Sequence, residues 1–482
     1  MNRRVLVYGL FLCTLAVSTH SAIAASDLAE FIALPGSPKG GVIVYLGSAD
    51  ADTLIKTRDA GRFVVQSVLF DSASVDKARK AILARKAYGL VAAIHSSAKR
   101  LPYTDNFVNV VAIDDLAAFG KSGVSADEVA RIVTPNGAIL VAGDSALAKL
   151  LVSACGATAT SKAGPWTRIV KPRPKEMDEW THGRHDPEGT SISQDKLVGY
   201  SGVLQWRQGP IWLWPGISSR TIDGKNYYYV KGEIVCRDAF NGTLIWRIAG
   251  QEQKSFTAFE KKVYAFVPGA DNLVALDGDT GKVVKHYKDI RGVCPLALVH
   301  VGENIVFAAD DGLGSVNRQT GELNWMNKNL KGSVSTYNKP DDRTWKNGRW
   351  AGWDGWVGNT KTEILVSDKY VLRHLRGKLT CLNLADGKER WTQDFPGSGL
   401  RVAKYGVYAF KHFPAGGRKK GSILEVRSLK DGKTLWKRER KSRIGPGTDV
   451  HAFDGLIWDT TGIMGYDPQT GEFKKQAKGL GV

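Results

Sequence analysis

Cysteine is scarce in this chain, and no two cysteines are placed for shared chemistry. Cys13 lies in an N-terminal apolar run, while Cys155, Cys236, Cys294 and Cys381 are widely separated. No CxxC and no adjacent pair occurs, which excludes metal or haem attachment through a short cysteine motif. The nine histidines are scattered and none forms HExxH; GxSxG and a Walker loop are missing too. Proline is low, 17 of 482 residues, so this is neither a collagen-like chain nor a proline-rich coil. Long apolar runs are also missing. The longest, residues 5–17 (VLVYGLFLCTLAV), has 13 residues, short of the ~20 a membrane-crossing helix needs.

Glycine and tryptophan are abundant. Gly reaches 53 and Trp 14, against an ordinary Gly share of about 7 %. Many turns and many short aromatic strands follow from that pairing. A helical bundle and a disordered chain do not fit it.

Asn2-Arg3-Arg4, the run 5–17 and the small-x-small triplet Ala22-Ile23-Ala24 form a secretory signal over residues 1–24, with cleavage after Ala24 or Ala25. Leu12 precedes Cys13 where a lipid-anchored protein has a small residue. The expected location is periplasmic or secreted, and the protein is expected not to be transmembrane. Loss of Arg3 and Arg4 takes the formal charge from +19 to +17. The basic residues are dispersed, as in Arg418-Lys419-Lys420 and Lys437–Lys441, and no nucleic-acid module accompanies them. No nucleic acid is therefore expected as a partner. The charge suits attraction to an anionic envelope surface or polysaccharide. In an oxidising compartment the four mature cysteines allow three disulfide pairings. Buried free thiols fit equally, because Cys236 and Cys381 sit inside apolar strand patterns.

Residues 27–155 read as an α/β domain. Apolar runs at 41–46, 62–70, 90–94, 107–113 and 138–142 alternate with helical patterns over Asp50–Ala60 and 73–87. Residues 125–133 open with a Ser cap and carry Glu128 as a capping box. Strands alternating with helices predict a parallel sheet covered on both faces. Residues 156–175, with three prolines and little periodicity, read as a linker.

The order of elements resembles the Rossmann-like nucleotide-binding half of S-adenosylmethionine-dependent methyltransferases. Leu46-Gly47-Ser48-Ala49-Asp50-Ala51 stands at the family's Gly-rich loop. Residues 100–111 resemble the approach to its fourth strand, and Pro135-Asn136-Gly137 a later turn. Only Gly47 of the loop glycines is present, and Asp71 is displaced from the ribose-binding place. The domain is expected to be a degenerate, non-catalytic form. A retained cofactor site would use Gly47, Asp50 and Asp71.

Residues 176–482 are repetitive. Six tags end in Gly: Asp238-Ala-Phe-Asn-Gly242, Asp277-Gly-Asp-Thr-Gly281, Asn317-Arg-Gln-Thr-Gly321, Asn383-Leu-Ala-Asp-Gly387, Ser428-Leu-Lys-Asp-Gly432 and Asp467-Pro-Gln-Thr-Gly471. Successive glycines are 39, 40, 66, 45 and 39 residues apart. The long interval is one period plus an insertion of about 26 residues. Each tag reads as a tight turn between antiparallel strands. The aromatics that follow, Trp246, Trp325, Trp391 and Trp436, read as packing between neighbouring sheets. Four short strands per ~40 residues is the signature of a β-propeller blade.

The tags resemble the repeat of quinoprotein-like propellers, found in pyrroloquinoline-quinone alcohol dehydrogenases and in the outer-membrane assembly propeller of Gram-negative bacteria. Trp180–Arg184 and Asp186–Thr190 resemble the lead-in to such propellers, and Val203–Trp206 the last strand of a preceding blade. About seven blades, with a range of six to eight, are implied. The whole layout resembles exported proteins of planctomycete-type bacteria. The dehydrogenases hold Ca²⁺ and pyrroloquinoline quinone with a carboxylate set, a Trp platform and an adjacent Cys pair; this chain has no such pair. No cofactor is expected with confidence, and an enzyme is the less favoured reading. The segment 335–360 concentrates Trp345, Arg349, Trp350, Trp353, Asp354 and Trp356, and Trp212 and Trp214 form a second aromatic group. Either these rings cover one end of the propeller, or they are rigid anchors for a protein, glycan or small ligand. The expected function is a non-catalytic exported scaffold that binds an envelope protein or polysaccharide. The alternatives are a pyrroloquinoline-quinone and calcium-dependent alcohol or sugar dehydrogenase and an S-adenosylmethionine-binding protein.

Overall fold

Period-2 and period-3.6 patterns alternate up to about residue 170 and give way to period 2 alone. The computed structural model divides accordingly into two units, Met1–Pro172 and Arg173–Val482. It describes residues 28, 31, 32, 34, 37–199, 204–207 and 219–476, apart from 48–49, 98, 144–145, 231, 251–255, 271, 289, 291–297, 310, 332–363, 368, 376, 396–397, 413–421, 441–449 and 460–462. Residues 1–24, expected to be a secretory signal, lie outside these.

In the first unit, β1 (Gly40–Leu46), β2 (Arg62–Leu69), β3 (Val91–His95), β4 (Val108–Ile113), β5 (Val133–Ala142), β6 (Thr160–Ala163) and β7 (Trp166–Val170) form one sheet in the order β3-β2-β1-β4-β5-β7-β6. β1 to β5 run parallel, and β7 is antiparallel to both β5 and β6. The helices are α1 (Ala51–Asp59), α2 (Ser72–Ala84), α3 (Leu116–Ser122), α4 (Ala126–Ile132) and α5 (Ala146–Cys155). β1 is buried along its whole length because both of its faces are covered. Ile43 and Tyr45 pack with Leu54, Val75 and Ile82; Val42, Val44 and Leu46 pack with Phe119, Val129 and Leu151. This is why its sequence is a continuous apolar run and not an alternating one.

Two expectations need correction here. The 156–175 segment is not simply a linker: β6 and β7 form a hairpin in the sheet, and Trp166 is buried. Gly164, Pro165 and the nearby basic residues hid a strand pair that is only four and five residues long. The capping box at Ser125 is half formed. Ser125 Oγ accepts from Glu128 N at 3.2 Å, but the Glu128 carboxylate turns to Leu101 N at 2.6 Å and Arg131 at 2.6 Å. A charged partner from another loop outcompetes the local amide.

The second unit holds six four-stranded antiparallel sheets among the described residues. The first comprises β8 (Arg220–Ile222), β9 (Lys225–Val230), β10 (Glu233–Asp238) and β11 (Leu244–Ala249). The others are β12–β15 (257–286), β16–β19 (298–327), β20–β23 (364–394), β24–β27 (398–440) and β28–β31 (450–476). The first strands of successive sheets touch in order, from β8 to β28. Each tag joins the third strand of a sheet to the fourth. In four tags the leading Asp238, Asp277, Asn317 or Asp467 makes an Asx turn; Asp277 Oδ1, for example, accepts from the amides of Asp279 and Thr280. The six closing glycines all have φ between +66° and +83°.

The tryptophans connect the sheets. Trp206, Trp246, Trp325, Trp391 and Trp436 each donate Nε1–H to the carbonyl of the second residue of the next tag: Ala239, Gly278, Leu384, Leu429 and Pro468, at 2.9, 2.9, 2.7, 3.0 and 3.0 Å. Each ring also fills the space beside that tag's closing glycine. The second sheet has Lys285 in the Trp position, and Tyr287 Oη donates to Arg318 O at 2.5 Å instead. Trp206 thus sits as the outer tryptophan of a preceding blade would, although residues 204–207 form no strand. Gly387 shows the constraint most sharply, since a Cβ there would collide with the Trp325 ring. Gly387→Ala is expected to cost at least about 1–2 kcal/mol from the left-handed backbone alone, measured by urea unfolding. A cost near zero would show that the ring moves freely.

Three of the four mature cysteines, Cys155, Cys236 and Cys381, are buried free thiols; Cys294 lies outside the described residues. Burial pushes the Cys381 thiol up to about 12, so it behaves as a small apolar residue.

Candidate functional site

Two places collect polar side chains. The first is the crevice of the α/β unit, where strand order reverses between β1 and β4, the position at which doubly wound sheets bind ligands. Gly47 and Asp50 follow the end of β1, and Asp71 follows the end of β2 by two residues. Their roles there are local. Both Asp50 oxygens serve the start of α1, accepting from Asp52 N at 2.8 Å, Thr53 N at 3.0 Å and Thr53 Oγ1 at 2.7 Å. Partial burial raises the Asp50 pKa, but these donors outweigh it and hold the carboxyl below its ordinary range. Asp71 caps α2 through Ser74 N at 2.7 Å. Asp115 caps α3 through Ala118 N at 2.8 Å. Gly47 has φ +130°, and a Cβ on it would lie 3.2 Å from Asp115 Cβ and 3.4 Å from Asp114 Oδ1. The 114–115 turn therefore closes over the glycine. Asp114 is the carboxylate the sequence reading missed. Burial pushes it up to about 7, and its place at the end of β4 becomes visible only once β4 is paired beside β1.

The second place is the propeller centre. Residues 178–191 form a strap that hydrogen-bonds to the first strand of every described sheet. Trp180 pairs with Thr221 of β8 through both main-chain bonds, at 2.8 and 2.9 Å. Thr181 O accepts from Thr257 Oγ1 of β12 at 3.3 Å, and His182 Nε2 from the His300 amide of β16 at 3.2 Å. Pro187 O accepts from Val366 N of β20 at 2.9 Å, and Glu188 O from Val402 N of β24 at 3.2 Å. His451 Nδ1 of β28 meets Thr190 O at 3.1 Å. Eleven residues thus visit six sheets in chain order. The strap also holds its own shape. His185 lies between Asp178 Oδ2 at 2.6 Å and Asp186 Oδ2 at 3.0 Å, while Asp186 also bonds Thr190. Burial lowers the His185 pKa, but the two carboxylates more than offset it and raise the value overall.

The second unit also buries several cations. Arg220 is 2 % exposed, and its guanidinium lies 4.8 Å from the Phe256 ring centroid. Its terminal nitrogens donate to Ser219 O and Phe256 O, and among the described residues no carboxylate pairs with it. Burial alone pulls its pKa down to about 9. Arg373 and Arg401 are buried as well, and Lys411 pairs with the wholly buried Asp459 at 3.1 Å.

The predicted ligand contacts Trp212, Trp214, Trp345, Arg349, Trp350, Trp353, Asp354 and Trp356 all lie outside the described residues. The groups that pyrroloquinoline quinone with calcium would need, a Trp platform and a carboxylate set, have other partners among the described residues. The described outer-strand tryptophans are engaged with turns of the next sheet. The strap lies across the inner strands, and Asp186 and Asp459 are bonded to His185 and Lys411. No cluster of three or more metal-ligating side chains occurs among the described residues. Nor is any described helix long and apolar enough to cross a membrane.

Repeated four-stranded sheets, joined by outer-strand tryptophans to the next Gly turn, define a β-propeller with quinoprotein-like repeats. The family described as outer membrane protein assembly factor BamB matches residues 190–332 and again 330–478. Together these matches span more than half of the chain, and the chain belongs to that family. The first match contains the first three described sheets and the second the last three. Their junction falls at the start of the long insertion. No curated protein matches the chain. Among solved structures, BamB from Moraxella catarrhalis is similar at 15 % identity and TM-score 0.34, over 53 % of this chain and 70 % of that one. Apo AztD from Citrobacter koseri is similar at 9 % identity and TM-score 0.37, over 55 % and 71 %. A putative S-adenosylmethionine-dependent methyltransferase from Methanococcus maripaludis is similar at 14 % identity and TM-score 0.25, over 33 % and 89 %.

Proposed function

We propose that this protein is an exported, non-catalytic propeller scaffold. It binds an envelope protein or polysaccharide through the aromatic groups at 345–356 and 212–214, near an anionic envelope surface that its basic charge favours. One observation carries this reading: the strap occupies the inner strands with its own hydrogen bonds. In an enzyme of this architecture those positions would face a substrate and cofactor. The family matched by residues 190–478 is named for outer-membrane protein assembly, which supports an envelope setting and a protein partner. In the α/β unit, the use of Asp50, Asp71 and Asp115 as helix caps supports a structural role.

The test is an activity screen of the full mature chain. Dye-linked oxidation of alcohols and sugars is measured with added pyrroloquinoline quinone and Ca²⁺, beside calorimetry with S-adenosylmethionine. No turnover and no heat are the expected results. Calcium-dependent turnover would replace this reading with a dehydrogenase, and saturable heat would restore a cofactor role to Gly47, Asp50 and Asp71.

A further inference from the structure

We propose that the strap is a pH-operated latch, closed on the propeller centre at neutral pH and released from β12 and β16 in mildly acidic surroundings. The hydrogen bonds around His182 require it to be neutral. Its Nε2 accepts the His300 main-chain N–H at 3.2 Å, so the ring proton sits on Nδ1. That proton is donated to Thr181 Oγ1 at 2.8 Å, and the Thr181 hydroxyl in turn donates to His185 O at 3.2 Å. A second proton has only Nε2 to occupy. There it would face the His300 amide and abolish the bond between strap and β16.

His300 belongs to the same network. Its ring stacks on His182 with centroids 4.2 Å apart and lies 4.4 Å from the Phe259 ring. Its Nδ1 meets Thr257 Oγ1 at 3.0 Å, the same hydroxyl that donates to Thr181 O. The charged groups facing the pair are cations. Arg220 of β8 acts on both rings, Arg318 acts on His300, and His185 acts on His182. Arg318 is itself flanked by Glu260 and Glu303. Among the described residues no carboxylate touches either imidazole. Two stacked imidazolium ions beside two arginines, in a buried site, would repel one another strongly. Burial, the largest cause, holds the His182 pKa well below its ordinary value and that of His300 at about 3.

The sign follows from linkage. Released, the two histidines titrate near 6.5; latched, they stay neutral far below that. The released form therefore binds more protons at every pH between these limits, and acid favours it. Each histidine contributes up to tenfold per pH unit below about 6.5. His185 has the opposite, raised pKa, but its partners Asp178 and Asp186 belong to the strap itself. Those contacts are internal to the strap, so they survive its release from β12 and β16.

The test is hydrogen exchange with mass spectrometry on the full mature protein at pH 7.5 and pH 5.0, corrected for the pH dependence of intrinsic exchange. Protection over residues 180–190 is expected to fall at least tenfold at pH 5.0, while β9 and β10 keep theirs. In the His182→Gln/His300→Gln double variant, which cannot take up these protons, the pH effect should disappear. Equal strap protection at the two pH values overturns the proposal. So does an equal fall in the double variant, or a simultaneous loss across all blades. If the variant does not fold, titration of the wild-type histidine ring protons decides. Two resonances that shift together with strap exposure support the latch. Two that stay neutral to pH 4, with the strap still protected, contradict it.

Discussion

Replacing Trp325 with alanine should lower the unfolding free energy of the propeller by about 3–5 kcal/mol. Its ring is nearly buried, fills the space beside Gly387 and gives its N–H to Leu384 O at 2.7 Å. The truncation removes a large apolar surface, opens a cavity between the third and fourth sheets and leaves a carbonyl without its donor. Trp325→Phe separates these effects. It keeps most of the apolar contact and should cost about 1 kcal/mol for the hydrogen bond, plus a smaller packing term. Chemical unfolding followed by circular dichroism measures both. If Trp325→Ala costs under about 1 kcal/mol, the tryptophans decorate the blades and do not hold them together.

Lys411→Met should be as damaging, at about 3–5 kcal/mol, because it removes a charged partner of the buried Asp459 carboxylate. The ion pair joins the second strands of the fifth and sixth sheets at 3.1 Å, with the carboxylate wholly buried. Adding Asp459→Leu to Lys411→Met removes the remaining buried charge of the pair. The double variant should recover much of the loss, because two buried ions can be replaced by apolar groups at little cost. A double-mutant cycle reads this directly. If the single and double variants are equally unstable, the site depends on shape and not on charge.

The contrast between these two cases explains what could be read in the sequence. The tags announce themselves because a turn needs its Asx residue and its glycine within a few positions, and the tryptophan follows at a fixed distance. Local geometry therefore writes a local motif, and the four-stranded sheets follow from its repetition. The covered sheet of the α/β unit is legible for the same reason, as continuous apolar runs between helical stretches. By contrast, the Lys411–Asp459 pair joins residues 48 positions apart. The strap meets partners from Thr221 to His451. Trp180–Arg184 and Asp186–Thr190 resemble the lead-in to a propeller. Nothing local discloses that they thread past six inner strands. The crevice carries an ambiguity of another kind. Asp50 stands in the loop where a cofactor would lie and Asp71 just beyond the ribose-binding place, yet an aspartate before a helix is also an N-cap, and both serve as one.

The most direct measurement is native mass spectrometry of the full protein purified from its own cell envelope, with a Trp350→Ala/Trp353→Ala/Trp356→Ala variant beside it. The expected wild-type spectrum carries the mass of a non-covalent protein or polysaccharide partner. The variant should lose that mass while its circular dichroism spectrum stays unchanged. A wild-type chain that carries pyrroloquinoline quinone and calcium, or a partner retained in full by the variant, would contradict a scaffold that binds through its aromatic loop.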